Sequence, residues 1–532
     1  MQNPFTRFTQ ILSLAFLTII LTFGCASPPA NYSEYEDTSA TVYGPYRVIK
    51  LPIDKGVPIV NPIQISLGPN GVLFAANQSG EIYSLRDSDG DGLEDEASLF
   101  ADLNEIGLHS PAGFTHKGDT IFIGTRSEIR AFLDSDQDGK ADTSWTFFNK
   151  FPISDHPYEW TSALSVGPDG WIYFVLTTDS WNPGASPDPL GLRGSIVKVS
   201  PDGSQFEQIA TGIRSIHGMT FNPSGDLFFA DNKGGGNPTE ELNLLISGKF
   251  YGHNPKKYEG KFDIITDPVF SLENEIAPSG IEFNSASNDF GGTAGDLFVA
   301  FYGPGEHWNR GAVGRVKMKK TASGFSFEEF PVADIPKLSD LAFGKDGSLY
   351  AANHGISDYW YNAVKEKTGG FYKIIYDPGL VGKNLTVKQI KEENFSVASL
   401  ENGKALFGIR ACAGCHAVDG VTDLIGPNLK GIGNEFSQEE LLEEINKPSE
   451  RIKPGMIATR ITKKDGKVLL GRIVYTDENN TSLMLVGNQV IQIPKSEIES
   501  TEEVLTSLMY TNLLAGLSEQ EIANLLNYIS SL

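Results

Sequence analysis

The 532-residue sequence predicts two structured domains in series: an all-β propeller of six blades over residues 48–376, and a mainly α-helical domain with an inserted β-strand pair over residues 399–532. Three observations carry this reading. A turn-and-strand phrase recurs six times through the middle of the chain. Helical periodicity is largely absent from that stretch. A Cys-x-x-Cys-His motif at Cys412, Cys415 and His416 then opens the second part. The length alone favours two or three domains over one core. A formal net charge of -24 excludes nucleic acid as an expected partner, because phosphate binding needs clustered Lys and Arg.

The N-terminus reads as an address. Arg7 supplies a positive charge, residues 11–23 form an apolar run, and Gly24-Cys25 follows. This pattern predicts an export signal over residues 1–25 with Cys25 as a lipidation site, and hence a periplasmic or cell-envelope protein held to the membrane by an N-terminal lipid. The run is shorter than the roughly 20 residues of a spanning helix. Residues 26–47, rich in Ser, Pro, Tyr and acidic side chains, read as a flexible tether.

In the propeller, a Gly-Pro-Asn/Asp-Gly turn or a variant of it leads straight into a short apolar strand. The pairs are Leu73-Phe74, Ile121-Phe122, Ile172-Tyr173, Leu227-Phe228, Leu297-Phe298 and Leu349-Tyr350, with the aromatic positions spaced by 48, 51, 55, 70 and 52 residues. That spacing suits four short strands and their turns, one blade per repeat. Within the first two repeats lie two matching acidic loops. Asp87, Asp89, Asp91 and Asp95 occupy positions one, three, five and nine of the first, and Asp134, Asp136, Asp138 and Asp142 those of the second, with Gly92 and Gly139 at position six. Alternating carboxylates converge on one hard cation, so calcium is the expected occupant. Position twelve holds Ser98 or Trp145 instead of a carboxylate, so the loops are not EF-hands.

The Cys-x-x-Cys-His motif predicts covalent haem c. Two thiols three positions apart add to the two vinyl groups of one haem, and His416 becomes the proximal iron ligand. The chain has three cysteines, so there is no second cysteine pair to complete a zinc site, and a redox dithiol does not require the following His. Electron transfer is the expected activity. The final stretch, with Ile522, Leu525, Leu526 and Ile529 at helical spacing, predicts an amphipathic helix over 518–532.

Residues 211–255, TGIRSIHGMTFNPSGDLFFADNKGGGNPTEELNLLISGKFYGHNP, resemble the glucose and sorbosone dehydrogenases, soluble quinoproteins that carry pyrroloquinoline quinone and calcium on a six-bladed propeller. The Gly-x-Arg opening, the Glu-Glu-Leu-Asn box and the closing Tyr-Gly carry the likeness, which continues through Ala277-Pro278-Ser279-Gly280-Ile281. The resemblance implies that Arg214 stabilises the reacting quinone. Where that family has a catalytic His, eight residues before the turn at Gly167, this chain has Glu159, with His156 three residues upstream. A carboxylate or an imidazole there has the chemistry of a general base. The Asn after the family's arginine is Ser215 here, and the next polar position is His217.

Residues 399–532, joined to the propeller by a linker over 377–398, resemble the haem-binding domain at the C-terminus of large exported planctomycete and verrucomicrobial proteins. The likeness rests on the haem motif, Gly426-Pro427-Asn428-Leu429, Asn446-Lys447-Pro448-Ser449, a strand pair around 466–493 and Ser507-Leu508-Met509. It implies that Pro427 packs on the haem and accepts the His416 ring proton, and that Met509, rather than Met456 or Met484, is the sixth iron ligand. Two functions follow as expectations. One is a quinone-dependent dehydrogenase that oxidises a sugar or related alcohol and passes electrons through its own haem to a respiratory or soluble acceptor. The other is a non-enzymatic propeller that binds carbohydrate or protein and positions the cytochrome.

Overall fold

The computed structural model describes residues 32–37, 39–53, 59, 61–154, 159–178, 188–234, 239–253, 265–272, 276–285, 290–303, 311–321, 324–355, 368–380, 392–410, 412–422, 424–464, 468–504, 507–509, 513–514 and 517–532. The export signal, Cys25 and His156 lie outside them. Among the described residues no helix is long and apolar enough to cross a membrane.

Six sheets form the blades, antiparallel except that Lys249–Phe250 joins the edge of blade 3 in parallel to Phe206–Thr211. Their innermost strands are Pro62–Leu67, Gly113–Lys117, Thr161–Val166, Ile216–Phe221, Pro278–Phe283 and Leu338–Phe343, and these meet one another in a closed ring. The repeated apolar phrase is the second strand of each blade. In Leu73–Asn77, Ile172–Leu176, Leu227–Asp231, Leu297–Phe301 and Leu349–Asn353 every residue is buried, as expected of a strand covered on both faces. The glycine that opens the turn has its own reason. A Cβ on Gly68, Gly167 or Gly344 would collide with the ring of Phe74, Tyr173 or Tyr350, so the turn is the seat of the aromatic side chain six residues on.

The inner strands share a second device. Register slips by a bulge near the start of blades 1, 3, 4, 5 and 6, and side chains there reach the next blade. Ser279 Oγ donates to the carbonyl of Leu338 at 2.7 Å, and Ser339 Oγ to that of Pro62 at 2.7 Å. The last blade takes its outer strand, Tyr46–Lys50, from the chain's beginning, paired with Gly370–Tyr376.

The stretch expected to be a flexible tether, 26–47, is built into the molecule where it is described. A short helix, Tyr32–Tyr35, and a strand, Thr41–Val42, precede the closing strand, and Thr41–Val42 adds a fifth strand to blade 5. The tyrosines explain the difference. Tyr32 and Tyr35 pack against the core shared by blades 1 and 6, and Tyr43 enters the apolar core of the C-terminal domain. A composition that looked polar spends its aromatic residues on burial.

In the C-terminal domain the helices Leu400–Ile409 and Glu519–Ser530 cross closely, because Gly403 lies against the backbone of Asn524, where a Cβ has no room. Ser437 and Ser518 start their helices with full capping boxes to Glu440 and Glu521. The inserted strand pair is present and larger than expected. It belongs to a five-stranded antiparallel sheet in the order Val490–Pro494, Asn480–Leu485, Val468–Thr476, Ala458–Lys463, Ile498–Val504.

Candidate functional site

The haem motif forms one helical turn, Cys412–Cys415, in which the amide of His416 bonds to the carbonyl of Cys412 at 2.9 Å. Burial pushes the Cys412 thiol up to about 12 and the Cys415 thiol up to about 11, which leaves both as neutral thiols. His416 Nδ1 lies 2.9 Å from the carbonyl oxygen of Pro427. A carbonyl only accepts, so Nδ1 carries the proton and Nε2 presents its lone pair. Burial lowers the His416 pKa, with the Pro427 bond opposing, so the imidazole is held in the neutral form that binds iron. Gly426 is required here, since a Cβ would meet the His416 ring at 2.8 Å.

Around this turn Phe407, Leu441, Leu442, Leu513, Leu525 and Leu526 form an apolar cluster, against which Cys412 and Met509 are both packed. Met509 therefore shares the apolar surroundings of the attachment turn. Met484 does not belong to that cluster. It is buried in the inserted sheet, its sulfur 4.0 Å from Arg472 Nη2. Two half-buried thiols, a neutral imidazole oriented by a carbonyl, and a methionine in an apolar cluster together fit haem c. Sequence reasoning missed Arg472 and Asn488, which bind the backbone of the haem loop from the inserted sheet; a Gly-Asn hairpin signal was present in the sequence but gave no sign of a distant partner.

Glu159 precedes the innermost strand of blade 3 and Arg214 that of blade 4, so the two stand at the same mouth of the ring. Arg214 and Ser215 donate their amides to the two oxygens of Asp231, at 3.0 and 2.7 Å. Ser215 Oγ lies 3.2 Å from His217 Nε2, and the His217 ring meets Trp160 edge-on at 5.7 Å. His217 occupies the strand position that holds Ser279 and Ser339 in blades 5 and 6. Burial, with Arg214 nearby, pushes its pKa down to about 3, so it is neutral and carries no ionic role at ordinary pH. Glu159 is 1 % exposed; its Oε2 accepts from Ser154 Oγ at 2.8 Å and lies 3.5 Å from Arg193 Nε. The free carboxylate expected of a base is thus half engaged, and only Oε1 is open. Glu159 Oε1 and Arg214 Nε are both buried without a hydrogen-bond partner among the described residues.

Two acidic groups join this set that the sequence reading passed over. Burial pushes Asp231 up to about 6 and Glu240 up to about 7, with Arg214 opposing in each case. Glu240 stands in the Glu-Glu-Leu-Asn box, so its signal was present; its nearness to Arg214 was not.

The acidic loops of blades 1 and 2 have matching geometry. Asp87, Asp89 and Asp91 place carboxylate oxygens within 4.8 Å of one another, as do Asp134, Asp136 and Asp138. Gly92 and Gly139, both at positive φ, donate to Asp87 and Asp134 at 2.8 and 2.9 Å. Asp95 and Asp142, expected as further ligands, stand apart from these clusters. They close the loops by accepting from the backbone amides of Ser88 and Ser135, at 2.8 and 2.7 Å.

Residues 400–468 match the cytochrome c family, and residues 59–312 match a family described as a domain of unknown function (DUF7133). Among curated proteins none matches the chain. Solved structures similar to it include the PQQ domain of pyranose dehydrogenase from Coprinopsis cinerea in its holo form, with 14 % identity over 65 % of this chain and 98 % of that one, TM-score 0.49. The PQQ-bound aldose sugar dehydrogenase of Streptomyces coelicolor has 18 % identity over 63 % and 98 %, TM-score 0.46. A putative oxidoreductase (glucose dehydrogenase) of Thermus thermophilus has 17 % identity over 62 % and 100 %, TM-score 0.44. The chain thus places a region that matches the cytochrome c family behind a six-bladed propeller, and that match supports haem-based electron transfer.

Proposed function

We propose that the protein is an exported, lipid-anchored dehydrogenase of quinoprotein type: its propeller oxidises a sugar or related alcohol, and the electrons pass through its own haem to a respiratory or soluble acceptor. One observation carries the enzymatic half. Arg214 Nε, a donor, and Glu159 Oε1, an acceptor, are buried at the same mouth without hydrogen-bond partners among the described residues, and leaving such atoms unmatched costs about 1 to 3 kcal/mol each. A polar ligand with both acceptor and donor groups satisfies them together.

Pyrroloquinoline quinone, an anionic group rich in acceptor oxygens, fits the Arg214 side of that pair. When bound, the quinone supplies a two-electron acceptor, and the haem iron supplies a one-electron relay. The chain's own residues do the rest. Arg214 stabilises negative charge that develops on a ligand oxygen. Glu159 Oε1 takes the alcohol proton, while Ser154 and Arg193 hold the carboxylate in place. The two Asp loops bind calcium and stiffen blades 1 and 2.

The non-enzymatic propeller is the second reading, and one placement favours it. His217 stands where other blades use a serine to join neighbours, and Glu159 is paired with Arg193, so both already have a structural role. The deciding experiment uses the full chain matured with haem. With pyrroloquinoline quinone and calcium added, sugars and alcohols are screened by haem absorbance. Quinone-dependent haem reduction that falls at least about tenfold in Arg214→Ala, at equal haem content, supports the enzyme. A folded, calcium-loaded protein that binds no quinone sinks the enzyme and favours the second reading.

A further inference from the structure

The inserted sheet grips the loop that carries the iron-binding histidine. Asn488 stands in the turn between strands Asn480–Leu485 and Val490–Pro494, with a left-handed φ of 65°. Its side chain spans the haem loop. Nδ2 donates to the carbonyl of Gly414 at 2.7 Å, and Oδ1 accepts from the amide of Ile425 at 2.8 Å. Both ends of the amide meet the group they require, so the opposite orientation would break both bonds. Arg472, 8 % exposed and on the adjacent strand, donates Nη2 to the carbonyl of Leu424 at 2.5 Å. The chain of bonds continues into the site. Gly426 donates to the carbonyl of Cys415 at 2.9 Å, and Pro427 then receives the Nδ1 proton of His416.

We infer that Asn488 is a positioning residue for the proximal imidazole: by tying Gly414 in the attachment turn to Ile425 beside Gly426-Pro427, it fixes the span across which His416 and Pro427 bond. This rests on the haem reading of the site. A hairpin needs only the backbone of Gly487 and Asn488, and a side chain with no further duty would turn to water. Instead it makes two bonds to groups 74 and 63 positions away in sequence. The hydrogen bond to Pro427 makes the imidazole more basic and so stabilises ferric iron. When the span loosens, that bond weakens and the midpoint potential rises. The inserted sheet is then a buttress for the proximal side rather than a decoration on the domain.

The test compares the full, haem-matured chain with Asn488→Gly and Asn488→Asp. Glycine keeps the left-handed turn and deletes the bridge; aspartate keeps the acceptor for Ile425 and loses the donor to Gly414. Hydrogen exchange is followed across residues 417–430, and the midpoint potential is measured by redox titration. In Asn488→Gly the amides of Ile425 and Gly426 exchange at least tenfold faster and the potential moves upward, at unchanged haem content. In Asn488→Asp the Ile425 amide stays protected. Unchanged exchange in Asn488→Gly overturns the inference, and faster exchange with an unmoved potential also overturns it, reducing Asn488 to a structural tie. Haem that extracts into acid acetone removes the covalent haem reading instead, while the exchange measurement still reports on the bridge.

Discussion

Arg410 Nη1 donates to the backbone carbonyl of Val42 at 2.7 Å, joining the first helix of the haem domain to the strand that edges blade 5. Tyr43 follows at once, its amide on Val332 of blade 5 and its ring in the haem-domain core. Two consecutive residues therefore hold both domains. Tyr43→Ala removes a buried aromatic ring, a loss of roughly 3 kcal/mol or more. The haem-domain melting transition should drop and separate from that of the propeller, read by calorimetry. A single unshifted transition refutes the docking role.

The axial ligand is decided between two methionines. Met509→Ala should abolish any methionine-to-iron charge-transfer band and lower the potential, since a ligand favouring ferrous iron is lost. Met484→Ala, within the inserted sheet, should leave the band in place. The reverse pattern moves the ligand into the sheet.

Chelation probes the acidic loops. A cation that binds only the folded state adds stability by mass action, so removing calcium should lower the propeller's melting temperature, and Asp87→Asn with Asp134→Asn should reproduce the loss. Asp95→Asn, at a residue that closes its loop onto Ser88, should have the smaller effect on calcium affinity. Equal effects at Asp87 and Asp95 would make both of them ligands.

A half-buried carboxyl on an inner strand sets a pH dependence. Burial pushes Glu282 up to about 8 from an ordinary 4.5, and neighbouring Asp340 is also raised well above its ordinary value. The folded state therefore holds a proton that the unfolded chain releases. The resulting stability is full below about pH 4.5 and is lost as pH rises through 8. Between pH 6.5 and 8 His217 is neutral folded and largely neutral unfolded, so the window reports chiefly on carboxyls. The melting temperature should fall by roughly 4 °C across it, and Glu282→Gln should flatten the slope. A slope unchanged by that substitution would exclude Glu282 as its source.

The blades were legible because their signal is local. Gly167 and Tyr173 lie six positions apart and touch, so one short phrase contains both the seat and the ring it seats. The haem motif is legible for the same reason, with Cys412, Cys415 and His416 on one helical turn. What escaped depends on distance. Asn488 looks like any residue in a hairpin turn until the fold brings Gly414 beside it. The strand Ile498–Val504 carries five exposed positions in a row, so no alternation marked it as part of the sheet. Tyr43 sat in a stretch whose average composition was polar, and averaging hid the one side chain that mattered.

The ring's closure also dictates an order of assembly. Tyr46 pairs with Tyr376, so a strand made near the start of synthesis, Tyr46–Lys50, is the last to acquire its neighbour. Until blade 6 is complete, that strand waits with an open edge, and the chain must bring together its most widely separated parts. Loop-closure entropy makes such pairing slow, and topologies built on distant contacts fold late. A ribosome that stops short of Tyr376 leaves an open arc of blades, with unpaired strand edges at both ends and nothing to seal them.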